Sequence, residues 1–344
     1  MINNDEASYD PKSSVYTPTQ AATYALNAAR QAHKSFTEGT GIGIPIAKIK
    51  DYIPPVLPGQ VMAIIAQTSN YKSGFMHFME HEAANRLTEL GHEKDILIHV
   101  SVEEGIEEQG FLEVGRLAGM DAGEIARGSV QDWSKLEEAA IKVGSIPIYR
   151  IGDSLARSDD MPLLHVSNMI RSIDALVNGD VLDWRPHVAG IFFDYLQAFP
   201  IDPEFRNTSH DQQRRLQVRS DIYRIRQCAA KYQCPCFVAV QAKQHLEGAR
   251  HPVYLPGIYD GNESADIAQR CDRIITLWMP KSHFASGEFF DHRGKQYSVE
   301  DSDLWIKCAK QRGRLPSGEI WQTRIDFIKN TVVLVDDQVS GRTA

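Results

Sequence analysis

The chain has 344 residues, 42% hydrophobic and 24% charged, and its 37 Lys+Arg against 45 Asp+Glu leave a net charge of −8. That length and makeup suit one large α/β domain with an appendage, or two small domains, and exclude a wholly disordered chain. The acidic balance excludes a surface coated in basic residues for nucleic acid, though not a local basic channel.

No apolar run approaches the roughly 20 residues of a membrane span. Residues 1–10 carry acids and amides rather than a basic-then-apolar leader. Five cysteines without a disulfide framework agree with a reducing compartment, so a cytoplasmic location is expected.

In chain order, residues 1–16 read as a polar, flexible arm. A helical pattern from Thr17 to Phe36 carries an alanine stripe, starts at Pro18 and stops at Gly39-Thr40-Gly41. A small-residue helix of this kind packs either on a neighbouring subunit or on its own domain. Strands then alternate with helices. Val61–Ile65 precedes a helix at 74–90, and Asp95–Val100 precedes helices at 103–118 and 132–143. Ile146–Ile151 precedes a helix near 165–176, Val188–Phe193 a long basic helix at 211–232, and Cys236–Val240 and Arg273–Trp278 follow. Segments at 303–309, 322–327 and 332–335 close the chain as an antiparallel edge. Apolar strands alternating with helices predict a mostly parallel sheet covered on both faces, with ligands at the carboxyl ends of the strands.

Chemistry-bearing residues fall at those carboxyl ends. The first strand runs into Ala66-Gln67-Thr68-Ser69-Asn70-Tyr71-Lys72-Ser73. A phosphate loop needs backbone N–H groups around an anion, a Lys for the outer phosphates and a hydroxyl for Mg²⁺. Ser69 to Ser73 stand where such a loop belongs, yet Ala66 and Tyr71 replace its two usual glycines; taken alone, Lys-Ser is equally the start of a helix. Glu103 follows the second strand and suits a general base, or with Glu104 an acidic first helical turn. Asp194 follows the fourth and suits Mg²⁺, or a turn cap. Gln241 ends the fifth, as a γ-phosphate sensor or a satisfied core amide. Four such groups on successive strand ends are hard to obtain from four unrelated coincidences.

The chain from about Ile44 onward resembles the DnaB-type hexameric replicative helicases, whose motor is a RecA-like ATPase domain. Ser101-Val102-Glu103 is similar to that family's Ser-Leu-Glu, and Asp194-Tyr195-Leu196-Gln197 to its Asp-Tyr-Leu-Gln. Val240–Glu247 and Asp260–Asp272 follow two further family segments, with Gln244 and Asn262 where Arg is usual, and Lys310-Gln311-Arg312 resembles its Lys-x-Arg. Leu57-Pro58-Gly59 resembles the turn before the phosphate loop.

The resemblance implies a RecA-like three-layer αβα domain at 41–340, with a mostly parallel sheet and a C-terminal antiparallel edge, preceded by a linker helix at 17–40. It implies an ATP site in which Ser69, Asn70, Tyr71, Lys72 and Ser73 bind phosphates, Ser73 and Asp194 hold Mg²⁺, Glu103 activates water and Gln241 senses phosphate. Lys310 and Arg312 would come from the adjacent protomer as transition-state cations; composition alone reads them as a solvated basic turn. It further implies a homo-oligomer, a hexameric ring, acting on single-stranded DNA with a loader or other replication protein; as a departure from the family, no primase-binding N-terminal domain is expected, because the linker-like helix begins near residue 17. The departures from the glycine pattern put hydrolysis in question. A RecA-like recombinase and a non-hydrolysing ring scaffold are the alternatives.

Arg214, Arg215 and Arg219 make the long helix locally basic, either for the phosphates of a threaded strand or for acids at a subunit interface. Cys228, Cys234 and Cys236 lead into an apolar strand and read as core thiols rather than zinc ligands. The glycines at 39, 41 and 43 precede Pro45 rather than a helix, so they are no dinucleotide fingerprint.

Overall fold

The computed structural model describes residues 15–37, 41–153, 164–205, 210–244, 253–261, 265–313 and 319–335. Residues 1–14 of the expected arm, His245–Glu247, Asn262–Ser264 and Arg314 lie outside them.

The helices are α1 (Pro18–Thr37), α2 (Ala47–Tyr52), α3 (Lys72–Glu89), α4 (Ile106–Ala118), α5 (Ala122–Ala126), α6 (Trp133–Val143), α7 (Val166–Asn178), α8 (His210–Tyr232) and α9 (Ala265–Arg270). The strands are β1 (Val61–Ala66), β2 (Asp95–Ser101), β3 (Ile148–Ile151), β4 (His187–Asp194), β5 (Cys236–Gln241), β6 (Arg273–Trp278), β7 (Phe289–His292), β8 (Lys295–Ser298), β9 (Asp303–Gln311), β10 (Ile320–Asp326) and β11 (Thr331–Leu334).

Nine strands form one sheet in the order β11-β10-β9-β6-β1-β5-β4-β2-β3. The run from β6 to β3 is parallel, and β9, β10 and β11 extend it antiparallel past β6. The fold is thus the RecA-like α/β layer arrangement expected, antiparallel edge included. β1 is buried along its whole length because it is central and covered on both faces. Its side chains alternate: Val61, Ala63 and Ile65 pack with α7 and α8, whereas Met62, Ile64 and Ala66 pack with α3.

Local chemistry moves some boundaries. The third strand begins at Ile148 rather than Ile146 because Pro147 has no N–H to give, and its carbonyl only accepts from Leu97 N at 2.8 Å. α4 begins at Ile106, not at 103: Gly105 is its N-cap, and Glu108 accepts the Gly105 N–H at 3.1 Å. Glu103 and Glu104 therefore sit in the strand-to-helix loop and are not an acidic first turn. Helix α5 and the β7–β8 hairpin were not anticipated. The hairpin turns at Arg293-Gly294, both at positive φ (55° and 77°), which matches the twist of a two-residue hairpin turn.

At α1, Thr17 and Gln20 cap each other reciprocally, at 2.8 and 3.2 Å. Every side chain described on this helix is exposed.

Candidate active site at the carboxyl edge of the sheet

The ends of β1, β5, β4 and β2 are neighbours along one edge, and the loops leaving them converge on Lys72. This lysine opens α3, is only 8% exposed, and lies 3.4 Å from Asp194 Oδ1 and 3.9 Å from Glu103 Oε2. Its Nζ also sits 3.9 Å above the Tyr195 ring. Asp194 is buried and Glu103 half-exposed. Burial raises the Glu103 carboxyl above its ordinary range; the carboxylates of Asp194 and Glu104 act in the same direction and Lys72 opposes them. A base whose pKa moves toward neutrality is better suited to accept a proton in use.

The loop before Lys72 is held in shape from both sides. Gln241 Nε2 donates to Thr68 Oγ at 2.8 Å, and Ala242 N donates to Ala66 O at 2.7 Å. Asn70 is buried, and its carbonyl oxygen accepts from Met279 N at 2.7 Å and from Ser282 Oγ at 3.3 Å. The Asn70 side chain thus buckles the loop to the β6 end, while its Nδ2 donates to Thr68 O within the loop at 3.0 Å. Ser69 and Tyr71 both take positive φ, 61° and 59°. Those are the left-handed conformations that glycine usually supplies, here adopted by other residues. Below them the first turn of α3 offers its unpaired N–H groups and the positive end of an 18-residue helix.

Tyr71 turns its ring away from that interior. It lies over Gly74, packs edge-on against Phe327 with centroids 5.8 Å apart, and its hydroxyl donates to Asn330 Oδ1. Burial, with the Asp326 charge, pushes its phenol well above its usual pKa. Gly74 is the only residue type that fits beneath the ring, since a Cβ there would meet Tyr71 Cδ2 and Cζ at 2.7 Å. Sequence reasoning named Tyr71 but missed its supports: Asn330 is 259 positions away, and only Gly74, at the i+3 helical spacing, gave a local signal. Gln197 was also missed in this role. It accepts from Gln241 N at 2.9 Å and its Nε2 donates to Gln241 O at 3.4 Å, tying the ends of β4 and β5 together.

Lys310 and Arg312 are not part of this cluster. β9 runs antiparallel to β6 with Gln311 opposite Arg273, at the start of β6. The six residues of β6 then separate them from the loop edge by about 17–20 Å. Lys310 Nζ donates to the carbonyls of Ala268 and Cys271, at 2.5 and 2.7 Å, and Arg312 pairs with Asp272 at 3.0 Å. Burial, then Arg312, lowers the Lys310 pKa.

On α8, Arg214 donates to the backbone carbonyls of Gln197 and Phe199, at 2.5 and 3.2 Å, and so braces the loop after β4. Arg215 is exposed, and Arg219 is exposed with Asp266 at 3.7 Å. Cys228, Cys234 and Cys236 are buried free thiols, as the apolar run beside them predicts.

No protein-family model and none of the curated proteins matches the sequence. Solved structures match in shape. A DnaB-like replicative helicase, described with its interactions with primase, superposes with a TM-score of 0.64 at 15% identity over 86% of this chain and 64% of that one. The ATPase domain of a second helicase superposes with a TM-score of 0.66 at 16% identity, over 94% of this chain and 100% of the other. The chain thus spans 64% of the length of the first helicase. At these identities the likeness is one of fold, and the fold is that of helicase ATPase domains.

Proposed function

We propose that the chain is an ATP-driven motor of the DnaB-like type, working as a ring-shaped homo-oligomer on single-stranded DNA in the cytoplasm. The observation that carries the reading is the convergence of Lys72, Glu103, Asp194 and Gln241 at four adjacent strand ends, around a preformed left-handed loop on a helix N-terminus. In this reading Lys72 and the N–H groups of α3 hold the phosphates of ATP. The donors fit a hard cation, since a hydroxyl and a carboxylate are the oxygen ligands Mg²⁺ favours. Ser73 and Asp194 would hold it, and Mg²⁺ bound there supplies charge neutralisation at the phosphates. Glu103 accepts the proton of the attacking water. Gln241, bonded to Thr68 of the loop, links the phosphate edge to β5.

Lys310 and Arg312 sit at the wrong edge to reach the phosphates of their own chain, so in this reading they serve the site of the next subunit. The exposed α1 is the linker helix that grips that neighbour, and the chain divides into an arm at 1–16, this helix at 17–40 and the ATPase domain at 41–340. Arg215 and Arg219 are the α8 groups open to DNA phosphates, while Arg214 positions the loop beside them. A loader or another replication protein is the further partner expected.

Steady-state ATP turnover, with and without single-stranded DNA, tests the reading. DNA-stimulated turnover lost in Glu103→Gln supports the motor; assembly with nucleotide bound but no turnover supports a scaffold. Strand displacement on a forked duplex distinguishes the motor from a recombinase-type ATPase.

A further inference from the structure

The residue after Glu103 is fixed more tightly than Glu103 itself. The Glu103 carboxylate is half-exposed and meets Lys72 at 3.9 Å. Glu104, by contrast, is tied at its backbone and at its side chain. Its N–H donates to Ser101 Oγ at 3.3 Å, its carbonyl accepts from Gln109 Nε2 at 2.9 Å, and its Oε2 lies 3.4 Å from His77 Nε2. Only residues 102–105 separate the end of β2 from the start of α4. In so short a connection, fixing one residue leaves its neighbour few backbone conformations.

The groups that hold Glu104 are themselves held. Gln109 is buried and its Oε1 accepts from Arg150 Nη1 at 2.9 Å, while Arg150 Nη2 donates to Glu113 Oε1 at 2.5 Å. His77 is 3% exposed, and its ring stacks on His99 with centroids 4.7 Å apart and planes inclined by 12°. Its Nδ1 faces Glu80 Oε2 at 3.3 Å, the same oxygen that meets His99 Nδ1 at 3.1 Å. His77 thus stands between two carboxylates, one at each ring nitrogen. Burial opposes a charge on the ring, but Glu104 and Glu80 outweigh it and raise its pKa to about 10, with Arg150 acting against them. Near neutral pH the ring is an imidazolium with a proton on each nitrogen, and Nε2–H donates to the Glu104 carboxylate with the help of both charges. Burial pushes the Glu104 carboxyl up, and the bond to His77 more than offsets it, so the group titrates below its ordinary range.

His77 follows Lys72 by five residues on the same helix. One rigid element therefore carries Lys72 and, through Glu104, fixes the loop that presents Glu103 to it. We propose that Glu104 is a positioning residue: anchored by His77 and Gln109, it holds the backbone of Glu103 so that the Glu103 carboxylate faces Lys72 and the attacking water. The proposal rests on the motor reading, in which Glu103 is the base.

The test uses the full chain and measures ATP affinity and kcat separately. The Glu104 side chain is 26% exposed, so Glu104→Ala opens no core cavity and should fold. It should keep the wild-type ATP affinity while kcat falls about 10- to 100-fold, the cost of a base displaced by about 1 Å. Glu104→Gln still offers His77 an acceptor and should lose less. In a Glu103→Gln background, Glu104→Ala should change single-turnover hydrolysis by no more than about twofold, because the group it positions is already gone. A merely structural role would lower ATP affinity, or add its full cost in both backgrounds, and either result overturns the proposal. So does a Glu104→Ala chain with the kcat of an active wild type, which leaves the motor reading standing. A wild type without turnover overturns the motor reading itself, and the proposal with it.

Discussion

The two ends of the parallel strands are built in opposite ways. At the carboxyl edge the charges are packed inside: Lys72 is 8% exposed and Asp194 1%, and each faces the other across 3.4 Å. At the amino edge Arg312 is half-exposed and Lys310 spends its ammonium on two backbone carbonyls. The first edge has a left-handed loop on a helix N-terminus, two acids and one buried cation. The second has two cations held by backbone carbonyls and by Asp272. In the proposed motor the two edges would complete one phosphoryl-transfer site only between two copies of the chain.

That complementarity is open to a direct attack. Arg312→Ala should lower ATP turnover about 10³-fold if the guanidinium meets transition-state charge, while its half-exposed pairing with Asp272 leaves the melting temperature within a few degrees of wild type. Glu103→Gln should cost about 10²- to 10³-fold and leave ATP affinity intact, because the base acts on water rather than on nucleotide binding. Mixing the two inactive chains is the sharper measurement. An intact Glu103 site on one subunit then meets an intact Arg312 on its neighbour, and turnover should partly return. No recovery on mixing, with mixed oligomers demonstrated by mass, would place both residues in separate roles and end the comparison.

The loop edge also carries the pH sensitivity. Gln217 of α8 bridges the Asp202 N–H, at 2.7 Å, and Asp221, at 2.6 Å, behind the loop that Arg214 braces. Asp221 is buried, its Oδ2 has no partner, and burial raises its pKa to about 7; Gln217, Arg224 and Arg214 pull it down and Asp202 pushes it up. A carboxyl raised in the folded state favours folding at low pH and loses that contribution as pH climbs toward 7. Asp221→Asn keeps the acceptor for Gln217 and removes the charge. Its stability advantage over wild type should be small at pH 4, grow to pH 7 and level off above, reaching on the order of 2–4 kcal/mol. At the other edge Asp272 is shared by Arg226 and Arg312, at 3.1 and 3.0 Å, so no such trend should follow from Arg312→Ala. Chemical denaturation of both variants across pH separates the cases.

How much of this was legible in the sequence divides along the same line. Strands β1, β2, β4, β5 and β6 could be read because a buried parallel strand must be an unbroken apolar run, and the polar residue ending each run marks the carboxyl edge. The expectation that Lys310 and Arg312 act from a neighbouring subunit came only through family resemblance; the register of β9 on β6 sets them at the edge opposite Lys72. What could not be read is whatever joins distant residues: Asn70 to Met279, Tyr71 to Asn330, and His77 and Glu80 to His99. Glycines missing from the loop counted against the site because the sequence does not reveal that Tyr71 has somewhere else to put its ring.

Gly74 tests whether the loop edge is assembled within one chain. Alanine there would set a methyl 2.7 Å from two atoms of the Tyr71 ring, a separation that cannot persist, so the ring must leave Phe327 and Asn330. Overpacking of this kind costs about 1–3 kcal/mol. It also removes the packing that keeps residue 71 at a φ of 59°, a conformation that costs a non-glycine residue about 1–2 kcal/mol. Gly74→Ala should therefore lower the melting temperature and weaken ATP binding severalfold, with kcat reduced far less than in Glu103→Gln. Tyr71→Gly in the same chain removes the ring and accepts the positive φ, so the double variant should recover most of the lost affinity. If Gly74→Ala binds ATP like wild type, the loop is shaped by something other than Tyr71. If the double variant stays as weak as the single, the ring itself contributes to the site, and the loop edge is held by more than its backbone.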